Sequence, residues 1–237
     1  MDNCRISIIV PAYNEEARIP YFLPRLLRYA ESNLVNYEII IVNDGSEDKT
    51  YQVVKDIINN YDTAYLISYE NNMGKGHAVL QGVLHSNGDF ILFIDADGSI
   101  PPYEIKRMYE IYKKTNNQII IGSRISALSE IEKSQPLIRR LLSKVFNLFS
   151  DLLFQLKIKD LLCGFKGFSR DSAINIFKNL KSYGWEFDVE VLFRAKRENY
   201  KIYKLPIKWE HKEGSKISTL DPLFILLNLI VLRLRFI

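Results

Sequence analysis

The sequence predicts an α/β fold with a mostly parallel central sheet covered by helices on both faces. Three observations predict it. Short apolar runs rich in β-branched and aromatic residues recur at 6–10, 37–42, 64–67, 90–94 and 119–121, with the length and composition of buried strands. Segments with helical apolar spacing lie between them, near 16–30, 50–59, 76–84 and 102–114. Their strict alternation is the pattern that builds a parallel sheet through right-handed crossovers.

Taken in order, each strand of the first half ends in a polar loop. PAYNEE (11–16) follows the first, NDGSEDKT (43–50) the second, NNMGKGHA (71–78) the third and DADGS (95–99) the fourth. In parallel sheets ligands bind beyond the carboxyl ends of the strands, so the four loops are expected on one rim. Gly74 and Gly76 flank Lys75 at a predicted helix start, where backbone amides favour an anion. Pro102 stands where a first helical turn tolerates proline. Neither a P-loop nor a GxGxxG follows the first strand. Asp95 and Asp97 are two apart, so they leave the strand end on the same side. Two carboxylates that close repel unless a cation sits nearby; the alternative is a plain Asp-Gly turn.

The second half is less regular. Residues 136–159 carry apolar positions 138, 141, 142, 145, 149, 152, 153 and 156 as one helical stripe, with Arg139, Arg140, Lys144, Asn147 and Asp151 mainly off it. Such a basic amphipathic helix suits a membrane interface, or packing on the core or a second subunit. CGFKGFSR (163–170), a helix near 171–177, WEFDVE (185–190) opening another helix, and short strands at 202–205 and 207–209 follow. The tail 222–232 is apolar except for Asn228. It is shorter than the roughly 20 residues that span a bilayer, so an interfacial or core helix is expected. The expected division is 1–124 for a nucleotide-binding part, 125–220 for an acceptor part of the same domain, and 221–237 for the last helix.

A chain of 237 residues with 47% hydrophobic and 25% charged residues suits a globular protein with a substantial core. Cys4 and Cys163 form no CxxC, and His77, His85 and His211 are scattered. A disulfide framework or zinc site is not expected, and a reducing compartment is. MDNCRISIIV has no signal-like pattern. Residues 1–132 hold 12 Lys+Arg against 18 Asp+Glu, and residues 133–237 hold 20 against 10. The basic half suits an anionic lipid or phosphorylated ligand. Nucleic acid is not expected, since no aromatic-basic recognition motif accompanies the charge.

PAYNEE, VNDGS, GKG and DADG, in this order and spacing, resemble the family 2 glycosyltransferases, which have the GT-A fold. GSR (122–124), CGFKGF, WEFDVE and GSK (214–216) look like the dolichyl-phosphate β-glucosyltransferase branch and its polyprenyl-phosphate relatives. The resemblance implies that Pro11, Ala12, Tyr13 and Glu15 meet the base and ribose, Asp44 the uracil, and Lys75 and Asp95 the nucleotide sugar. It implies that Asp97, with Asp95 and Ser99, holds Mg or Mn. Arg124 and Lys216 would meet phosphate groups, with Arg139, Arg140 and Lys212 as further cations for the acceptor or diphosphate. Asp188 stands where hydroxyl-acceptor relatives place a base; here it would serve as that base, or orient a basic residue or cap the helix that follows. Two departures are Asn43, where many relatives have a second acid, and the lack of the N-terminal anchor of the eukaryotic enzymes.

The implied activity is inverting transfer of a hexose, glucose from UDP-glucose, to a polyprenyl or dolichyl phosphate. The implied location is the cytosolic membrane face, with peripheral attachment. A lipid monophosphate is largely dianionic at neutral pH and needs no base. The alternatives are a family 2 transferase acting on a glycan hydroxyl, a dolichyl-phosphate mannosyltransferase using GDP-mannose, or a non-catalytic nucleotide-sugar binder. The acids retained at the rim weigh against the last. Nothing in the sequence sets an oligomeric state.

Overall fold

The computed structural model describes residues 4–124, 130–133, 137–184, 186–212 and 221–236. The first half runs β1 (Ile6–Ala12), α1 (Ile19–Asn33), β2 (Tyr37–Asp44), α2 (Thr50–Ile58), β3 (Ala64–Tyr69), α3 (Lys75–His85), β4 (Phe90–Ile94), α4 (Tyr103–Lys114) and β5 (Ile119–Ser123). Every strand and helix expected there is present, with ends shifted by a few residues. The largest shift is α1, which starts at Ile19 because the backbone N–H groups of Arg18 and Ile19 both donate to Glu15 O in a preceding turn.

The second half adds β6 (Glu130–Lys133), α5 (Leu137–Phe154), β7 (Phe165–Ser169), α6 (Arg170–Phe177), α7 (Phe187–Arg197), β8 (Ile202–Pro206), β9 (Lys208–Glu210) and α8 (Asp221–Leu234). The main sheet has the order β3-β2-β1-β4-β7-β5-β8, and β6 pairs with β9 in a second, two-stranded sheet. β1 is parallel to both β2 and β4, while β7 runs antiparallel between β4 and β5.

β7 is a strand the apolar pattern does not reveal. Its sequence FKGFS places a lysine and a glycine where a buried strand normally carries Val or Ile. Both have structural reasons. Lys166 is wholly buried and ion-paired. A Cβ on Gly167 would fall 2.3 Å from Phe90 Cζ, so only glycine lets the Phe90 ring cross the strand.

Side-chain alternation divides the core between the two sheet faces. Ile9, Ile40, Val42, Ile91, Phe93 and Ile119 face α3, α5, α6, α7 and α8. Ile8, Val10, Ile39, Ile41, Leu92 and Ile94 face α1, α2 and α4. Both clusters are buried, so the sheet is covered on both sides, as parallel strands require.

α5 departs from its expected stripe. Phe146, Ser150 and Phe154 are the buried positions, Phe149 and Leu153 are half-buried, and Val145 and Leu152 point outward with Leu148. The helix stops at Phe154 rather than 159, where Gln155 and Lys157 take positive φ of 53° and 54°. α8 buries Leu229 and Leu232 and exposes Leu227, Ile230, Val231 and Leu234. Among the described residues no helix is long and apolar enough to cross a membrane.

Candidate active site

The chain order reverses beside β1: β2 and β3 extend the sheet to one side, and β4 begins the other. A reversal of this kind opens a crevice at the carboxyl ends of the strands. A cavity of about 490 Å³ lies there. All four expected loops reach it: Pro11, Ala12, Tyr13 and Glu15 from the first, Asp44 from the second, Gly74 and Lys75 from the third, and Asp95, Asp97 and Ser99 from the fourth. Arg124, just after β5, also lines it, and the second half closes it with Cys163, Gly164, Trp209, His211 and Lys212.

Asp44 organises the rim. Its carboxylate accepts from Tyr69 Oη at 2.6 Å, Asn72 Nδ2 at 2.9 Å, and the backbone N–H groups of Met73 and Gly74 at 3.0 Å each. Four donors match the acceptor capacity of one carboxylate. Asp44 therefore fixes the 72–74 loop while lining the cavity. Asn43 turns away, donating through Nδ2 to Ser68 Oγ at 2.9 Å.

The fixed loop delivers Lys75. Gly74 has φ +97°, and a Cβ there would lie 2.4 Å from Tyr183 O. Glycine is thus demanded twice, by the dihedral and by the close approach. Gly76 N donates to Tyr183 O at 2.8 Å, docking the start of α3. Lys75 Nζ then stands 2.5 Å from Asp95 Oδ1 and 5.9 Å from the centres of the Phe93 and Phe187 rings. Burial works against the ammonium, but the carboxylates of Asp95 and Asp188 outweigh it and hold the Lys75 pKa above its ordinary value.

Asp95 is held from its other side by Gly164. Its N–H donates to Gly164 O at 3.1 Å, and a Cβ on Gly164 would fall 1.9 Å from Asp95 Oδ2. Asp97 Oδ1 accepts from Ser99 N at 2.9 Å. Burial, followed by the negative charge of Asp95, raises the Asp97 pKa. Two neighbouring acids of which one is reluctant to ionise suit a divalent cation. The donor set fits Mg²⁺ or Mn²⁺: hard carboxylate oxygens with a serine hydroxyl beside them. Among the described residues no group of three or more His, Cys, Asp or Glu gathers. That is compatible with an ion that keeps coordination sites for phosphate and water.

Glu15 is clamped in a fork by Arg18, which donates through Nε at 2.7 Å and also through Nη2. Arg18 also lines the cavity and feels both Asp97 and Asp95. Arg124 is gripped by Asp160: its backbone N donates to Oδ2 at 2.7 Å, Nε to Oδ2 at 3.0 Å and Nη2 to Oδ1 at 2.6 Å. Its guanidinium also lies 5.4 Å from the Trp209 ring centre. The fork fixes the cation in the wall and keeps it charged. Lys212 is at the rim, 2.6 Å from Glu210 Oε2.

Asp188 does not line the cavity, and it is 2% exposed. Its Oδ1 is 2.5 Å from Lys166 Nζ, which also donates to Leu161 O at 2.9 Å and Cys163 O at 2.7 Å. Burial raises the Asp188 pKa against the pull of Lys166 and Lys75. The carboxylate is thus buried in an ion pair with a buried lysine. Lys216 lies outside the described residues, as do the side chains of Arg139 and Arg140 on α5. Arg18, in the cavity lining, and Asp160 and Lys166, paired behind it, are side chains that sequence reasoning missed. Arg18 alone carried a local signal, its (i, i+3) spacing from Glu15.

The model of the family described as glycosyl transferase family 2 matches residues 7–177. A dolichyl-phosphate beta-glucosyltransferase of Trichomonas vaginalis is 40% identical over 222 residues, covering 90% of this chain and 68% of that protein. Those of Saccharomyces cerevisiae and Homo sapiens are 32% and 33% identical, covering 98% and 90% of this chain and 75% and 69% of theirs. Among solved structures, Mycobacterium tuberculosis glucosyl-3-phosphoglycerate synthase superposes with a TM-score of 0.71 at 16% identity, covering 98% of this chain and 81% of that one. The same enzyme in complex with Mn²⁺, UDP and glucosyl-3-phosphoglycerate gives 0.69 at 17% identity, covering 98% and 80%. At that identity the likeness carries the fold, and it bears out the expected GT-A architecture.

Proposed function

The chain belongs to glycosyl transferase family 2, and from that premise we propose that it transfers glucose from UDP-glucose to dolichyl or another polyprenyl phosphate. The transfer inverts the anomeric centre and takes place at the cytosolic face of a membrane to which the protein binds peripherally. The observation that carries the reading is the 40% identity to a dolichyl-phosphate beta-glucosyltransferase across 90% of the chain. The cavity chemistry agrees with it. Carboxylates and cations line one pocket, while the acid in the position of a base is sealed against Lys166.

A phosphate oxygen of the acceptor forms a bond to glucose C1 as the bond from C1 to the UDP oxygen breaks on the opposite face. The products are glucosyl lipid phosphate and UDP. The acceptor is already an anion, so no proton has to be removed. The difficulty is repulsion between two phosphate groups, and fixed cations answer it. Arg124, locked by Asp160 and Trp209, presents its guanidinium from the wall, and Lys212 stands at the rim. Asp95 and Asp97, with Ser99, would hold Mg²⁺ or Mn²⁺. Such an ion supplies charge stabilisation to the departing diphosphate. Lys75 pairs with the Asp95 carboxylate and orients it. Pro11, Ala12, Tyr13 and Glu15 form the part of the wall offered to the nucleoside.

Labelled UDP-glucose, GDP-mannose, UDP-GlcNAc and UDP-glucuronate, each offered with dolichyl phosphate and Mg²⁺ or Mn²⁺, test the proposal. Label should enter the organic phase from UDP-glucose alone, and EDTA should abolish it. Label on a soluble glycan with none in the organic phase would overturn the lipid-phosphate reading, and label from GDP-mannose alone would overturn the donor.

A further inference from the structure

We propose that Lys166 is a positioning residue: it pins residues 160–164 as one rigid strap between Arg124 and Asp95, and so sets the distance between the acceptor side and the donor side of the cavity. The strap itself rests on contacts within the chain; what it is for rests on the glucosyl-transfer reading.

The strap is held at three places. At its start, the Asp160 carboxylate accepts from the backbone N–H and the guanidinium of Arg124. At its end, Gly164 O accepts from Asp95 N at 3.1 Å, and Gly164 lies so close to the Asp95 carboxylate that a Cβ would fall 2.2 Å from Cγ. Between them, Lys166 Nζ donates to Leu161 O at 2.9 Å and Cys163 O at 2.7 Å. Its third donor goes to Asp188 Oδ1 at 2.5 Å, which uses the full capacity of an ammonium. Leu162, Cys163 and Gly164 line the cavity. The strap is therefore part of the wall, and its two ends hold residues that meet opposite substrates.

Topology explains the arrangement. β7 lies between β4 and β5 and runs antiparallel to both. Asp95 directly follows β4, Arg124 directly follows β5, and the strap leads into β7. It thus crosses the rim between two strand ends that stand two spacings, about 10 Å, apart. Lys166 is in register with Phe93 of β4 and Ile121 of β5. Its ammonium is consequently fixed to the same strands that deliver Asp95 and Arg124.

A lysine at this depth needs a reason. Lys166 has no exposed surface, and Asp188 has almost none. Desolvation of a buried ion pair offsets its attraction, so an apolar pair of similar volume would serve core stability as well or better. What an apolar pair lacks is a donor for two carbonyl oxygens that converge on one point. The negative charge of Asp188 also acts on Lys75, the partner of Asp95. The Lys166–Asp188 pair therefore reaches Asp95 from both sides, through the strap and through Lys75. In the transfer reading this fixes the acceptor phosphate relative to the departing diphosphate, where an ångström of misplacement lowers the rate by about 10²-fold.

Two double variants that leave the net charge unchanged test the proposal. K166M/D188L makes the pair apolar and takes the donor from both carbonyls. K166Q/D188N also removes both charges, but the glutamine amide keeps two N–H donors for Leu161 O and Cys163 O. Amide hydrogen exchange by NMR reads the strap without any substrate, at Asp95 N–H and Arg124 N–H. Labelled-glucose transfer to dolichyl phosphate reads the reaction, and calorimetry with UDP counts the folded sites. In K166M/D188L both amides should exchange at least about tenfold faster than in wild type, while those of β1 and β2 keep the wild-type rate. Its kcat per UDP-binding site should fall about 10²-fold with the KM for UDP-glucose within about threefold. K166Q/D188N should stay within about tenfold of the wild-type kcat and keep the wild-type exchange at both amides. Wild-type exchange or wild-type kcat in K166M/D188L would overturn the proposal. So would faster exchange throughout β1 and β2, or lost UDP binding, since the pair would then support the fold as a whole. Equal loss of kcat in both variants would overturn it too, by assigning the effect to the charge of Asp188 and not to the strap. The expected exchange pattern in a wild type and variant pair that glucosylates no dolichyl phosphate would leave the strap standing and overturn the transfer reading.

Discussion

Asp160 shows how a side chain outside every recognised motif can govern one inside them. It accepts from three donor groups of Arg124 and is itself 4% exposed. Asp160→Asn keeps the size but removes the charge and one acceptor, releasing the guanidinium from its fork. Transfer should fall by about 10²-fold, the cost of misplacing a reacting partner by an ångström. UDP binding measured by calorimetry should change far less. An unchanged rate would show that Arg124 keeps its position without Asp160. Cys163 makes a second point at this scale. Burial, then the charge of Asp160, pushes its thiol from 9.0 up to about 12. Between those values the folded chain keeps a proton that the unfolded chain loses, so the contribution of Cys163 to stability falls as pH rises, by up to about 1.4 kcal/mol per unit. Urea unfolding from pH 9 upward should therefore show a steeper loss for wild type than for Cys163→Ala. Parallel slopes would contradict the buried, neutral thiol.

The acids and cations on the rim were legible because they follow strand ends, where topology alone brings them together. Asp95, Asp97, Lys75 and Arg124 all reach the cavity for that reason. Asp160 and Lys166 were not legible, because their partners lie 36 and 22 residues away and no local pattern announces them. The burial of Asp188 was hidden for the same cause. Its position in the sequence motif carries no information about the lysine that seals it.

Elements were legible where period and composition agree. The strands and helices of the first half answer to alternating apolar runs and helical stripes, and each is where the pattern puts it. β7 was hidden because its two unusual residues serve other elements: Lys166 ties the strand to α7, and Gly167 admits Phe90. The approach to β7 is equally constrained. Gly164 leaves no room for a side chain beside Asp95. Gly164→Ala should displace the Asp95 carboxylate, part it from Lys75 and lower transfer by about 10²-fold. Because Asp95 is half-exposed and can move outward, the thermal midpoint should shift little. Full activity in this variant would show that the Lys75–Asp95 geometry is not needed. α5 illustrates a different ambiguity. With apolar residues on most of its circumference, periodicity cannot choose the core face, and packing against the sheet and α8 selects Phe146 and Phe154.

At the scale of the whole molecule, the acidic first half and basic second half meet at one crevice. The first half brings the carboxylates together with Arg18, Lys75 and Arg124, and the second brings Trp209, His211 and Lys212 to the same cavity. The central claim is that Asp97, beside Asp95 at the point where the sheet reverses, supports glucosyl transfer to a lipid phosphate. The most direct test is the initial rate of labelled-glucose transfer from UDP-glucose to dolichyl phosphate, for wild type and Asp97→Asn side by side with divalent cation present. The account predicts that Asp97→Asn loses about 10³-fold or more while its urea unfolding midpoint stays at or above the wild-type value, since a buried, reluctant carboxylate has been neutralised. Transfer by Asp97→Asn at the wild-type rate would contradict it.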